Sequence, residues 1–176
     1  VYVGFISQGK GIEDLVDALA QVCEQHPEHR NQVRLSLAGG MAPDATFGTQ
    51  ARYLDALRAR VKERGLEDQL SWELDVDARD LPALIQRHHV VVLPCRESRA
   101  LGWRGQMRGT SGALTWATAC GRGVITSNAR AFADEIQSGN GESYPQGHVP
   151  SLSARLAGLL TEPERAQAWA AQATQP

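Results

Sequence analysis

The chain of 176 residues carries 18 Lys and Arg against 20 Asp and Glu, a formal charge of −2, with 42% hydrophobic residues; it is long enough to bury a core and fits one domain better than two. Its arginines are interleaved with acids rather than blocked, which argues against nucleic acid as a partner, and no stretch approaches the ~18 apolar residues of a membrane span. The three cysteines, Cys23, Cys95 and Cys120, show no CxxC spacing and read as reduced core thiols of a cytoplasmic protein, not as zinc or redox chemistry.

The first residues lack the basic-then-apolar layout of a signal peptide. Because the chain opens directly in a strand, without a methionine, it is expected to be a fragment of a longer polypeptide. Val1 to Ile6 is apolar and β-rich enough for a buried parallel strand. Gly9 and Gly11 then bracket Lys10, after which Ile12, Leu15, Val16, Leu19 and Cys23 repeat at helical spacing, with Glu13, Asp14 and Asp17 on the other faces. A glycine-loosened loop, one ammonium and a helix N-terminus together suit a phosphate; an ordinary strand-to-helix turn with a solvated lysine is the equal alternative. It is not a Walker loop, because no serine or threonine follows Lys10.

Val33 to Ala38 predicts a second strand ended by Gly39 and Gly40, and Tyr53, Leu54, Leu57 and Val61 mark a helix closed by Gly65. Leu70 to Leu74 reads as a third strand, Asp80 to His89 as a short helix, and Val90 to Leu93 as a buried strand stopped by Pro94. A long polar segment from Cys95 to Gly109 leads to a helix that begins near Thr110 or Ser111, runs to Cys120 and is capped by Gly121. Gly123 to Thr126 predicts another strand, Ala129 to Ile136 another helix, Gly139 to Gly141 a turn and Glu142 to Tyr144 an edge strand. Helices over Pro150 to Leu160 and Pro163 to Thr174 close the chain.

Six strands alternating with helices predict an α/β fold: one Rossmann-like domain over 1–176, a doubly wound parallel sheet with helices on both faces and its ligand beyond the strands' carboxyl ends. Lys10, Gly39, Gly40, Asp75 and the segment from Pro94 to Ser111 then converge on one cleft. An NAD-dependent enzyme is disfavoured, since the first loop is not GxGxxG and no acid follows the second strand.

Within that cleft, Arg96, Arg99, Arg104 and Arg108 cluster with Trp103, and arginine forks suit phosphate or carboxylate; a solvated or partner-facing loop is the other reading. Glu97 would orient one of these arginines or bind a sugar hydroxyl. Thr110, Ser111 and Gly112 offer two hydroxyls and free amides at a helix start, either a diphosphate cradle or a plain cap. Asp75 and Asp77 either approach a nucleotide base or form a solvated turn. His88 and His89 read as helix-end residues near the back edge of the sheet, and His26, His29 and His148 lie in turns without a second ligand at metal spacing. With no DxD pair or carboxylate cluster in the cleft, no metal is expected, and no base can be assigned to Cys95 as a nucleophile.

With these elements in order, the chain resembles the C-terminal, donor-binding lobe of the retaining group 1 glycosyltransferases of the two-lobed GT-B architecture. The residues that carry the resemblance are Gly4 to Gly11 at the first corner, LSLAGG at Leu35 to Gly40, VVVLPC at Val90 to Cys95, ACGRGVITS at Ala119 to Ser127 and ADEIQSGNG at Ala133 to Gly141. The resemblance implies transfer of a sugar, with retention, from a UDP-, GDP- or ADP-linked donor to a glycan or lipid-linked saccharide, in polysaccharide or glycoconjugate assembly. No cofactor is implied beyond that donor. The acceptor would be bound by a missing N-terminal lobe, leaving this lobe alone inactive, and the full-length protein would be cytoplasmic, with peripheral association at the inner membrane face allowed.

The family's first corner also implies that Lys10 holds the donor diphosphate, with Phe5 where an arginine is expected. Counting back from Gly121 puts Arg108 and Trp116 in the places of the family's paired glutamates, and TSGALTWATACGRGVITSNARAFADEI at Thr110 to Ile136 looks like a branch without them. On this reading Lys10 and Arg108 stabilise the leaving diphosphate, and Gly4, Ser7, Gly9, Gly40, Asp75, Pro94, Glu97, Thr110, Ser111 and Gly112 line the donor site. The alternative is a non-catalytic module of the same fold with a degenerate donor site, kept for protein interaction or regulation.

Overall fold

The computed structural model describes residues 1–40, 47–97, 112–132, 136 and 139–173. Its strands are β1 (Tyr2–Val3), β2 (Leu35–Gly39), β3 (Leu70–Leu74), β4 (Val90–Leu93), β5 (Gly123–Ser127) and β6 (Gly141–Tyr144). Its helices are α1 (Ile12–Gln25), α2 (Phe47–Glu63), α3 (Leu81–Gln86), α4 (Gly112–Ala119), α5 (Val149–Thr161) and α6 (Glu164–Ala173). β1, β2 and β3 pair in parallel, with Tyr2 opposite Leu37 and Leu37 opposite Trp72. β4, β5 and β6 do the same, with Val92 opposite Ile125 and Ile125 opposite Glu142.

Val1 joins the two halves. Its nitrogen donates to the Val90 carbonyl at 2.8 Å, and its own carbonyl accepts from Val92 N–H at 2.8 Å, the parallel pattern. The sheet therefore runs β3-β2-β1-β4-β5-β6, and the strand order reverses between β1 and β4, where doubly wound sheets open a crevice. The expected fold class is the one observed.

Alternation along the strands feeds two cores. Tyr2, Leu37, Val90, Val92 and Ile125 pack with Ile12, Leu15 and Leu57 and with Leu152 and Trp169. Val3, Val91, Leu93 and Val124 face Leu84, Ile85, Leu114 and Phe132 on the other side. The β5 backbone at Gly123 runs against α6 so closely that a Cβ there would lie 2.5 Å from Trp169 Cβ. At β6, Glu142 pairs with Arg155 on α5 at 3.2 Å and with Arg165 on α6, tying both C-terminal helices to the sheet edge.

The helix α1 is fastened to α2 by Asp17, which accepts from Arg60 at 3.0 and 2.7 Å and from Arg64 at 2.9 Å. Burial pushes the Asp17 carboxyl up, but the hydrogen bonds and charges of the two arginines outweigh it and hold it below the usual range. Asp17→Asn is expected to cost about 1 kcal/mol at neutral pH, since both arginines are substantially solvated. Denaturant melts at pH 7 check this, and an unchanged midpoint would leave the pair without a role in stability.

Several boundaries differ from expectation. Regular β1 stops at Val3 because Gly4 takes φ 143, although Gly4 N–H still bonds Ala38 O at 3.0 Å and Ile6 N–H bonds Gly40 O at 3.1 Å. The second strand begins at Leu35, because Pro27–Gln32 forms a 3-10 helix before it. Of the helix expected from Ala129 to Ile136, the described residues form a 3-10 turn at Arg130–Phe132 and a bend at Ile136, and residues 133–135 lie outside the described residues. The Arg130 amide is taken by Glu97 Oε1 at 2.7 Å, a bond across 33 positions that periodicity does not show. Asp14, expected on an open face of α1, is buried.

Candidate functional site

The carboxyl ends of β1 to β4 meet around the switch point, with Gly39 against Gly4, Gly40 beside Asp75 and Gly11 against Pro94. The β1 end supplies the loop from Gly4 to Gly11, which closes with Lys10 N–H on Ser7 O at 3.3 Å. Gly11 is the N-cap of α1 at φ 70, and no side chain caps the helix. The first amides of a 14-residue helix are thus presented beside Lys10. Gly9 and Gln8 are exposed, and Ser7 and Lys10 are half-buried at the loop's base.

β4 forms the opposing wall. Pro94 is buried, and a Cβ on Gly11 would lie 1.9 Å from its carbonyl oxygen. Arg96 N–H bonds Gly9 O at 3.2 Å, while Ser127 Oγ donates to Cys95 O at 2.6 Å. The β1 and β4 loops are therefore laced to each other through backbone.

Arg96 also grips Asp14 through its side chain. Nε donates to Oδ2 at 2.7 Å and Nη2 donates to Oδ1, a bidentate fork on a carboxylate that is 4% exposed. The hydrogen bonds it donates to Asp14 raise the Arg96 guanidinium above its ordinary value. Tyr144, buried at the end of β6, has its phenol pushed well up by desolvation and then by the Asp14 charge. No local pattern points to this pair, because its members stand 82 positions apart.

The other expected site residues divide. Gly40 lies within reach of Asp75, whose Oδ1 would meet a Gly40 Cβ at 3.0 Å. Asp75 is exposed at φ 57, and its N–H points at Gly39 O at 3.4 Å, so Gly4, Gly40 and Asp75 do share one end of the sheet. Glu97 is exposed and holds Arg130 N–H, while its own N–H bonds Gln146 Oε1 at 2.8 Å. Asp77 is engaged by Arg79 at 2.8 Å within its own turn. Gly112 opens α4 and is exposed, with open space where a Cβ would stand. Arg99, Trp103, Arg104, Arg108, Thr110 and Ser111 lie outside the described residues.

Phe5, in the corner beside Gly4, is 46% exposed, and Tyr2 Oη donates to its carbonyl at 2.7 Å. Trp116 packs partly buried against the Leu114 side of the core. His88 sits behind β4, with Nδ1 donating to Leu84 O at 2.9 Å and Nε2 accepting from Ser36 Oγ at 2.9 Å. Ser36 in turn lies 2.8 Å from Ser71 Oγ. Among the described residues no group of three or more His, Cys, Asp or Glu is placed to hold a metal ion, and no helix is long and apolar enough to cross a membrane.

The family model described as glycosyl transferases group 1 matches residues 1–175. No curated protein matches in sequence. Among solved structures, the chain is similar to the C-terminal domain of a glycosyl transferase group 1 family protein, LpcC, from Francisella tularensis. That match has 18% identity and a TM-score of 0.75, covering 98% of this chain and 80% of that one. It is also similar to Anabaena Alr3699/HepE in complex with UDP, at 23% identity and TM-score 0.75, covering 98% of this chain and 42% of that one. Sucrose-phosphate synthase from Thermosynechococcus elongatus matches at 24% identity and TM-score 0.78, covering 98% and 38%. The chain thus spans about four-tenths of the length of the last two.

Proposed function

The chain belongs to the group 1 glycosyltransferase family, and from that premise we propose that it is the donor-binding, C-terminal lobe of a two-lobed retaining enzyme. Its donor is a nucleotide sugar, and its acceptor, a glycan or lipid-linked saccharide, is bound by a second lobe. The observation that carries this reading is the switch-point corner: an uncapped helix N-terminus with Lys10 beside it, opening where the strand order reverses. Diphosphate is the group such a corner suits.

As the bond from the sugar to phosphate breaks, negative charge grows on the leaving diphosphate. The first α1 amides are fixed before that happens, so they stabilise the charge without reorganising, and Lys10 beside them adds a full positive charge. Arg108 and the Thr110 to Gly112 segment share that role in this proposal. Gly40 and Asp75 stand on the β2 and β3 side, toward the nucleoside. The polypeptide acts in the cytoplasm, with the membrane's inner face open to it when the acceptor is lipid-linked.

Calorimetric titration of the chain with UDP, GDP and ADP, beside Lys10→Ala, tests this; UDP comes first because HepE was solved with it. Saturable binding of one nucleotide is expected, weakened at least tenfold in the variant, ~1.4 kcal/mol. If none binds at millimolar concentration, the reading gives way to an interaction module with a lost donor site. Phe5 in the corner, exposed and without charge, is the observation that favours that second reading.

A further inference from the structure

We propose that Arg96 is a second anchor for the donor's diphosphate, and that Asp14 is the positioning residue that aims it. This deepens the reading above and rests on it. Lys10 is the cation the corner itself supplies, and Phe5 contributes none. The opposing wall brings Arg96 to the same place, because its amide bonds Gly9 O at 3.2 Å, one residue from Lys10.

Arg96 is half exposed although its partner is buried: the two side chains are 52% and 5% exposed. The fork uses Nε and one Nη2 hydrogen on Asp14. A guanidinium has five N–H donors, so three are left over by the fork. Gly147, at φ 76, passes beside the guanidinium, and a Cβ there would stand 3.6 Å from Nε. The arginine is therefore held by its inner edge, its amide and a flanking turn, while half of its side chain stays open to solvent.

The pair also solves an electrostatic problem of the corner. Asp14 lies in the first turn of α1, where a phosphate is to be received. An unneutralised buried carboxylate there would oppose the incoming anion as strongly as the helix end attracts it. Arg96 cancels that charge and turns the remainder of its fork outward. The buried acid then favours the ligand indirectly, by fixing the arginine in one orientation before the ligand arrives.

The test compares nucleoside monophosphate and diphosphate affinities by calorimetry, using whichever of UDP, GDP or ADP binds the unaltered chain, for Arg96→Gln, Arg96→Lys, Asp14→Asn and the double variant Asp14→Asn/Arg96→Gln. The double variant keeps hydrogen-bonding groups in place without a lone buried charge, so it reports even where Arg96→Gln fails to fold. The expected result is that the diphosphate-over-monophosphate gain falls at least tenfold in Arg96→Gln and in the double variant. Arg96→Lys and Asp14→Asn should show smaller losses, from a charge without its fork and a fork without its anchor. A gain that is unchanged, or monophosphate and diphosphate affinities that fall together with the melting temperature, overturns the proposal while leaving the donor-lobe reading intact. Failure of the unaltered chain to bind any of the three overturns both.

Discussion

Gly11→Ala is expected to leave the chain unfolded or destabilised by about 3 kcal/mol or more, as the sum of a backbone and a packing effect. The φ of 70 at Gly11 lies in the left-handed region, which costs a residue with a Cβ roughly 1–2 kcal/mol. The new methyl would also stand 1.9 Å from Pro94 O and 2.8 Å from Pro94 C, and forced overpacking adds roughly 1–3 kcal/mol. The obstructing atoms are backbone at the end of β4, held on both sides by the Ser127 and Arg96 bonds, so they cannot swing aside as a side chain would. Gly9→Ala provides the contrast: φ is 83 but nothing lies within 4 Å of its Cβ, and only the backbone cost of about 1 kcal/mol applies. Denaturant melts of both variants decide the matter. Equal losses would mean that the contact with Pro94 is not what makes Gly11 necessary.

Stability is expected to fall as the pH drops from 6.5 toward 4, with His88 as a principal cause. Burial pushes its imidazole down to about 4 from 6.5 in an unfolded chain. The ring is held neutral, donating to Leu84 O and accepting from Ser36. Between those two pH values the unfolded chain binds a proton that the folded chain refuses, so acid favours unfolding, and the contribution is fully present above pH 6.5. The effect amounts to about 2 kcal/mol, below the ~1.4 kcal/mol per pH unit of an ideal shift because the ring is only partly desolvated. Urea melts at pH 4.5 and 7 on the unaltered chain and His88→Gln measure it. The variant should lose less stability between the two pH values, and equal slopes would exclude His88 as a titrating contributor.

The hydrophobic pattern made the sheet legible. Val90 to Leu93 stands where β4 is, because an unbroken apolar run ended by proline has few other solutions, and Leu70 to Leu74, where β3 is, alternates apolar and polar residues as a strand does. The corner at Gly9 to Gly11 was legible for the same reason: glycine marks backbone that other residues resist. What periodicity concealed were contacts made across the chain. Asp14 has the sequence of a solvated helix residue, and only the arrival of Arg96 from beyond β4 permits its burial. Ala129 to Ile136 has a helical pattern, yet Glu97 captures the Arg130 amide and the described part is a short 3-10 turn. Of the four arginines read as an anion cluster, Arg96 alone falls among the described residues, and the structure gives it a partner that local sequence could not.

The seating of Trp169 against Gly123, with Arg165 reaching Glu142, makes α6 a shutter over β5 rather than a trailing segment. Only residues 162–163 hinge it to α5. A protease that severed this hinge would leave the shutter held by noncovalent contacts alone, and its departure would uncover a narrow greasy slot along a glycine-backed strand. Clipped molecules would then stick to one another through that slot, so the shelf life of a preparation would be governed by the two residues that join α5 to α6.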